Sequence, residues 1–524
     1  MLGAAQFLMV LDQAVMNVAI SQLVDDFDTT VTTIQVVIAS YALVMAALML
    51  TGGKLGDLWG RRRAFAIGLC IYGLGSALTA VSWNVPSLMI GWSGLEGIGA
   101  ALVMPAMVAL VAANFEGQDR ALAYGVLGGV AGAGIAVGPI LGGWATTELS
   151  WRVVFAGEVV VAIGILLGTR QMREAARTDA SPPLDWVGSV LSAAGLGLLV
   201  LGVLQASNWG WLYPRSSPLE PFGFSLTPFV IAAGAVVLAA FVSWERRRER
   251  RGEAPLLHLR LFSSAGVRSG VTMLLAQNLI LMGIFFTVPL FLQIVLGLDA
   301  LETGVRMLPA SVGLFVSALA GSALAKRYPA RTLVRVGLLI SLVAVLLLLD
   351  TIEPQLDNAS FLTAMGVLGV GMGLIVSQLG NVVQSSVGDR DRSEAGGLQY
   401  TAQQLGSSLG TALLGAVVLT VLIGSFQSKV ADNPKIAAEV HAEVKTRLSA
   451  GGSFVPASQI EVAAAEAGVD PATTTELVSD YEDAQLEALK LAFLFAAFLV
   501  VAALLGTRRL PTRRFDELSA PADP

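Results

Sequence analysis

The chain has 524 residues, a formal net charge of −6, a hydrophobic content of 55% and a charged content of only 14%, where a soluble domain carries about 25% charged residues. That much apolar mass cannot be covered by so little polar surface in water, and disorder, which needs low hydrophobicity and high charge, is excluded by the same figures. A single cysteine, Cys70, and two distant histidines, His258 and His441, leave no disulfide framework or zinc cluster and argue against histidine-based or metal-dependent chemistry. The mean hydropathy of +0.71 completes the profile of a polytopic membrane protein.

A helix crossing the hydrocarbon core needs about 20 mostly apolar residues. Segments of that kind lie near 2–22, 34–54, 64–83, 86–114, 121–146, 153–171, 187–206 and 226–244. They continue near 269–296, 304–325, 332–349, 359–381, 396–425 and 487–506, giving fourteen expected spans. The runs are long and unbroken, so helices are expected and not the ~10-residue alternation of barrel strands. The first begins almost at Met1, has no basic flank or small-residue cleavage site, and is interrupted by Asp12 and Asn17. It therefore reads as an uncleaved helix.

Most of the 33 basic residues fall after even-numbered spans. They include Lys54 with Arg61 to Arg63, Arg120, Arg170, Arg173 and Arg177, seven arginines between Arg246 and Arg268, Lys326, Arg327, Arg331 and Arg335, Arg390 and Arg392, and Arg508, Arg509, Arg513 and Arg514. The positive-inside rule then places both termini in the cytoplasm. The opposite face receives the Ala- and Glu-rich stretch 426–486.

Two loops recur. Asp119-Arg120-Ala121-Leu122-Ala123-Tyr124-Gly125 after span 4 shares D-R-x-x-A-x-G with Asp391-Arg392-Ser393-Glu394-Ala395-Gly396-Gly397 after span 12. The basic loop after span 2 has a weaker echo from Leu324 to Arg331 after span 10. The common offset spans eight helices, so two six-helix halves are expected around an insertion of two. The expected units are a first half at 1–171, a linker with two extra helices at 172–250, a second half at 251–507 containing the outer loop 426–486, and a tail at 508–524. Parallel halves of this kind enclose a midplane substrate site in transporters.

Gly53-Lys54-Leu55-Gly56-Asp57-Leu58-Trp59-Gly60-Arg61-Arg62-Arg63 resembles the loop between spans 2 and 3 of the major facilitator superfamily. The resemblance implies that fold, with Gly53, Asp57, Gly60, Arg61 and Arg62 as a conformational-switch loop whose contacts form in one of two packed states. Gly134, Gly138, Pro139, Gly142 and Gly143 resemble the span-5 element of the superfamily's antiporters; glycines at spacing four let helices approach closely, and Pro139 bends the helix. Leu11-Asp12-Gln13-Ala14-Val15-Met16-Asn17-Val18-Ala19-Ile20 is similar to the span-1 signature of the fourteen-helix drug:proton antiporter branch, the EmrB/QacA type. Trp151-Arg152, Leu184-Asp185-Trp186-Val187-Gly188 and Gln293-x-Val295-Leu296-Gly297 also resemble that branch.

An ionisable side chain inside a span is a functional-site hypothesis by default, so Asp12 is expected to hold and release a proton. One departure stands out: where the branch has a span-4 arginine and glutamine, this chain has Ser93 and Glu96. Glu158 replaces a common asparagine in span 6. Glu96 or Glu158 is therefore expected to supply a second protonatable group, the alternatives being packing for Glu96 and a headgroup position for Glu158. Asn17, Gln277, Asn278, Gln378, Asn381, Gln399 and Gln403 are further polar residues within spans, expected to line the substrate cavity or to bond between helices.

The resemblance implies a proton-coupled exporter of amphipathic, cationic small molecules, driven by the proton gradient with no cofactor, metal, ATP or nucleic acid, and monomeric in the bilayer. Export of one dedicated metabolite is the alternative within transport. A membrane enzyme or a non-transporting sensor is the alternative outside it, against which stand the missing nucleophile–base pair, the missing nucleotide loop and the lack of a large soluble domain.

Overall fold

In hydrocarbon every backbone N–H and C=O must be satisfied within the protein, which leaves helices as the means of crossing for runs like these. The structure, a computed structural model, describes residues 1–115, 117–172, 184–214, 217–325, 327–388, 392–437, 440–441, 444 and 454–512. Arg173, Arg177, Lys326, Arg390, Asp391, Arg513 and Arg514 lie outside the described residues, as do the side chains of Asp119, Arg120 and Arg392.

The chain opens with α1 (Leu2–Val18), α2 (Ile20–Asp26), α3 (Val31–Trp59), α4 (Arg61–Ala80), α5 (Val85–Leu88), a π-helical segment (Met89–Glu96) running into α6 (Gly97–Asn114), α7 (Gly117–Glu148) and α8 (Trp151–Gly168). Next come α9 (Trp186–Trp209) and α10 (Thr227–Arg251). The remainder is α11 (Ala265–Pro289) with a second π-helical segment (Leu290–Val295), α12 (Ala300–Leu324), α13 (Ala330–Asp350), α14 (Asn358–Ser385), α15 (Arg392–Asp432), α16 (Ala457–Glu466) and α17 (Pro471–Gly506).

The expected segments fall on helices, the first of them, 2–22, broken at Ala19 between α1 and α2, and no strand occurs among the described residues. Twelve helices are long and apolar enough to cross a membrane among those residues, or thirteen when α1 and α2, bent by 67°, count as one span. α7, 32 residues long, is not among them. Side-chain caps fix several starts: Thr30 accepts from Thr33 N at 3.2 Å, Asp185 from Gly188 N at 2.9 Å and Asp299 from Glu302 N at 2.7 Å. Between α3 and α4 the chain turns on one residue, Gly60, with φ of 95°, a conformation closed to residues with a Cβ.

Residues from α1 to α17 share one continuous buried core. The pair α9 and α10 packs together, and α9 lies over the seam between α3 and α15, where Val200, Val203 and Leu204 bury against Ala39 and Ala412. The two ends of the molecule differ. At the ends away from the arginine-rich loops, α7 meets α12 so closely that a Cβ on Gly304 would sit 2.0 Å from the Pro139 carbonyl oxygen, and one on Gly143 2.4 Å from that of Ala300. On the same side Gln35 of α3 donates to the carbonyls of Thr411 and Ala412 at 2.9 and 3.2 Å, and Ser408 donates to Ala39 O at 2.7 Å. That end is thus closed by contacts of α7 with α12 and of α3 with α15, several of them at backbone level.

Candidate functional site

Glycine seams bring three acids together. Between α4 and the π-segment, a Cβ on Gly75 would fall 2.6 Å from Glu96 Cγ, and one on Gly99 2.6 Å from Tyr72 N. Between α7 and α1, a Cβ on Gly138 would reach Ala14 Cβ at 2.4 Å, and those on Gly134 and Gly142 would touch Val10 and Val15. The expected antiporter glycines thus divide their work. Gly134, Gly138 and Gly142 bed α7 onto the helix carrying Asp12, while Gly143 and the Pro139 carbonyl face α12.

Asp12, Glu96 and Glu158, from α1, the π-segment and α8, are all buried, and each places a carboxylate oxygen within 4.8 Å of the others. Each has one oxygen held by donors. Trp92 Nε1 donates to Asp12 Oδ1 at 2.6 Å. Thr79 Oγ1 lies 2.9 Å from Glu96 Oε1 and equally far from Gly75 O. Tyr72 and Ser76 hydroxyls donate to Glu158 Oε2 at 3.0 and 3.3 Å. The second oxygen of each acid, Asp12 Oδ2, Glu96 Oε2 and Glu158 Oε1, has no hydrogen-bond partner. The basic residues of the first 171 positions are Lys54, Arg61, Arg62, Arg63, Arg120, Arg152 and Arg170, and all of them flank spans. Three carboxylates this close in a low-dielectric interior without a basic partner cannot all be charged, because desolvation and mutual repulsion act together.

Ser93 does not stand in for the branch's arginine at this cluster: its hydroxyl donates to Val37 O of α3 at 2.9 Å. Sequence reasoning missed Trp92 and Tyr41, whose rings stack at 4.5 Å with 7° between planes. Both are deeply buried beside Asp12. The π-helical turn that re-phases span 4, a feature concentrated at functional sites, has no clear sequence signature.

The other expected residues are dispersed. In the switch loop Asp57 pairs with Arg61 at 2.6 Å, and Arg62 donates to Met172 O at 3.2 Å. Gly53 has room for a Cβ, with Pro105 at 3.7 Å, whereas its neighbour Gly52 does not, with the Ala101 carbonyl oxygen at 2.2 Å. Asn17 bonds back to Gln13 O at 2.7 Å within α1. Asn278 bonds Leu274 O and the side chain of Gln277. Gln378 is buried and donates to Gly321 O of α12 at 2.9 Å, Gln399 accepts from Gln384 at 2.6 Å, Gln403 is half-buried and Asn381 is exposed.

The sequence model described as Major Facilitator Superfamily matches residues 2–411. The chain belongs to the major facilitator superfamily. This facilitator is accordingly a multi-pass secondary transporter of small molecules, not an enzyme, and its family needs no cofactor. It is 30% identical over 457 residues to the "Probable actinorhodin transporter" of Streptomyces coelicolor, covering 86% of this chain and 75% of that protein. It is 33% identical to the "Puromycin resistance protein pur8" of Streptomyces alboniger, covering 82% of each chain. It is 31% identical to the "Multidrug efflux pump LfrA" of Mycolicibacterium smegmatis, covering 78% of each. Among solved structures, a bacterial homologue of the human lysosomal transporter Spinster, inward-facing and unoccupied, shares the fold with a TM-score of 0.61 at 17% identity, covering 99% of this chain and 98% of that one.

Proposed function

We propose that this facilitator exports amphipathic small molecules across the cell membrane in exchange for protons, by alternating access, with Asp12, Glu96 and Glu158 as the coupling groups. The observation carrying the reading is the convergence of three buried carboxylates, each with an unpartnered oxygen and none with a basic partner, in a family whose relatives are drug and antibiotic exporters. Protons neutralising the cluster let α1, α8 and the π-segment pack as they do with the outer face closed. Losing them leaves up to three like charges within 4.8 Å, which favours a different packing of the first half. Proton and substrate then bias the same two-state equilibrium in opposite directions, which is what antiport requires.

The unit 1–171 would rock against 251–507, with 172–250 as an insertion, the loop 426–486 outside, and both termini with the tail 508–524 in the cytoplasm of an inner-membrane monomer that uses no ATP. Gly53, Asp57, Gly60, Arg61 and Arg62 would set the balance of states from the cytoplasmic side. Gln277, Asn278, Gln378, Asn381, Gln399, Gln403 and Asn17 supply the polar residues of the spans. A second reading, export of a single natural product, is supported by the relatives named for one compound each, actinorhodin and puromycin.

The test is extrusion of a fluorescent lipophilic cation from proteoliposomes under an imposed proton gradient, with wild type, Asp12→Asn, Glu96→Gln and Glu158→Gln. Gradient-dependent export that is lost in at least one variant supports antiport and assigns the coupling acid. Export that survives a protonophore, or all three substitutions, refutes it. If the wild type moves no cation but exports a neutral or anionic antibiotic, the natural-product reading replaces the cationic one.

A further inference from the structure

The helix that carries Asp12 is broken, and the break is filled from the far half. At Ala19 (φ −97°, ψ 9°) α1 stops and α2 departs at 67°. Ala19 N still bonds Val15 O at 3.0 Å, and Leu23 N bonds Ala19 O at 2.9 Å. A break in the membrane leaves backbone groups that must find partners elsewhere. Here one carboxamide supplies them: Gln293 Nε2 donates to Val18 O at 3.0 Å, and Gln293 Oε1 accepts from Ser21 N at 3.1 Å and from Ser21 Oγ at 2.7 Å. Gln293 is itself buried and sits in the π-helical segment Leu290–Val295 at the end of α11.

The distal end of α2 is tied to its own half. Arg152 pairs with Asp26 at 2.5 Å, donates to Ser82 O at 3.1 Å and stacks over Trp151 and Phe27. Any separation of the outer faces must therefore withdraw Gln293 from the joint, while α2 stays with α8. Val18 O and the amides beyond it then regain partners most simply by continuing the helix across Ala19.

We propose that Gln293 is a positioning residue that holds the α1–α2 joint bent, and that the joint is a two-state element, bent with the outer face closed and continuous with it open. This rests on the alternating-access reading above and deepens it. Asp12 lies six residues, about 9 Å of helix, before Val18. Straightening the joint moves α1 relative to Trp92 and so links opening of the outer face to the carboxylate cluster.

The experiment uses spin labels at Glu148→Cys and Gln355→Cys, both exposed on the outer side, in a Cys70→Ser background, with amide exchange read in parallel. Gln293→Ala is expected to raise the ratio of long to short label distances roughly tenfold, the scale of losing one to two net hydrogen bonds, and to slow exchange at Ser21 and Gln22. A merely structural contact would instead speed exchange there when removed. Ser21→Ala, which deletes only the 2.7 Å bond, is expected to shift both readouts less in the same direction, and it serves if Gln293→Ala does not fold. Unchanged distances, or faster exchange at Ser21 and Gln22, overturn the proposal. Because neither readout needs a substrate, failure of proton-driven export in the wild type would be seen separately, and would remove the proton coupling while the label distances still decide whether the joint moves.

Discussion

Adding one methyl group at Gly304 should open the outer face. In the closed arrangement that Cβ would lie 2.0 Å from the carbonyl oxygen of Pro139, 2.7 Å from its carbon and 3.3 Å from Ile140 N. All three are backbone atoms on a packed helix, so no side chain can swing aside. Restoring ordinary contact, at about 3.4 Å, requires α7 and α12 to part by about 1.4 Å, and overpacking of this kind costs about 1–3 kcal/mol. The clash exists only where the two helices meet, so the cost falls on the closed state alone. Gly304→Ala should lower the closed-to-open ratio by about five- to 150-fold, read as a gain in long distances between labels at Glu148→Cys and Gln355→Cys. Gly157→Ala is the matched control, because nothing lies within 4 Å of its Cβ. A Gly304→Ala protein with the wild-type distance distribution and export rate would show that the α7–α12 approach does not govern outer closure.

Trp92→Phe keeps a ring against Tyr41 but removes the N–H donor at 2.6 Å from Asp12; a loss of about 0.5–1.5 kcal/mol, the net worth of a hydrogen bond to an uncharged acid, should lower the thermal midpoint in detergent, and an unchanged midpoint would count against the bond. Gln35→Leu leaves the Thr411 and Ala412 carbonyls to their own helix, so label distances should shift toward open, as for Gly304→Ala but less. Outside the membrane, hydrogen bonds from Thr473 hold the Asp470 carboxyl below its ordinary value. A depressed carboxylate contributes its cap fully above the usual aspartate range and loses it as pH falls through the depressed value. Amide protection factors at Ala472 and Thr473, exchange taken relative to the intrinsic rate at each pH, should therefore fall on acidification, and Asp470→Ala should abolish that pH dependence.

Much of this was legible before any coordinates. Span length and loop arginines give the helices, and the Gly-x-x-x-Gly spacing of Gly134, Gly138 and Gly142 marks a close helix seam, because spacing four puts small residues on one face. Asp12 stands out because charge in an apolar run is costly. What the chain hides is phase and partner. A π-helical turn at Met89–Glu96 breaks the 3.6-residue register, so Trp92 was not expected beside Asp12, and Ser93, which the resemblance sets in an arginine's place, donates to α3 instead. Gln378 and Asn381 share a face on an ideal helix yet differ in fate, since Gly321 of α12 offers a carbonyl to one and the other is exposed. Gln293 was visible only as part of a motif, because its partners are carbonyl and amide groups 272 to 275 residues away, freed by a break that the sequence does not announce.

The two longest helices of the last third have a mechanical consequence. α15 has 41 residues and α17 has 36, about 61 and 54 Å of rise, well beyond a ~30 Å hydrocarbon core. Past the bilayer they remain fastened by Lys435 to Glu476 at 2.6 Å, Asn433 to Asp480 at 2.9 Å and the ring of Phe426 against Tyr481, with α16 packed on α17. A mast braced in this way has no joint of its own, so it swings as a needle on a dial. Ten degrees of rocking about the bilayer midplane displaces a tip ~20 Å above the bilayer, about 35 Å from that pivot, by about 6 Å. A fluorophore on the mast would write the transport cycle in a signal that no substrate need carry.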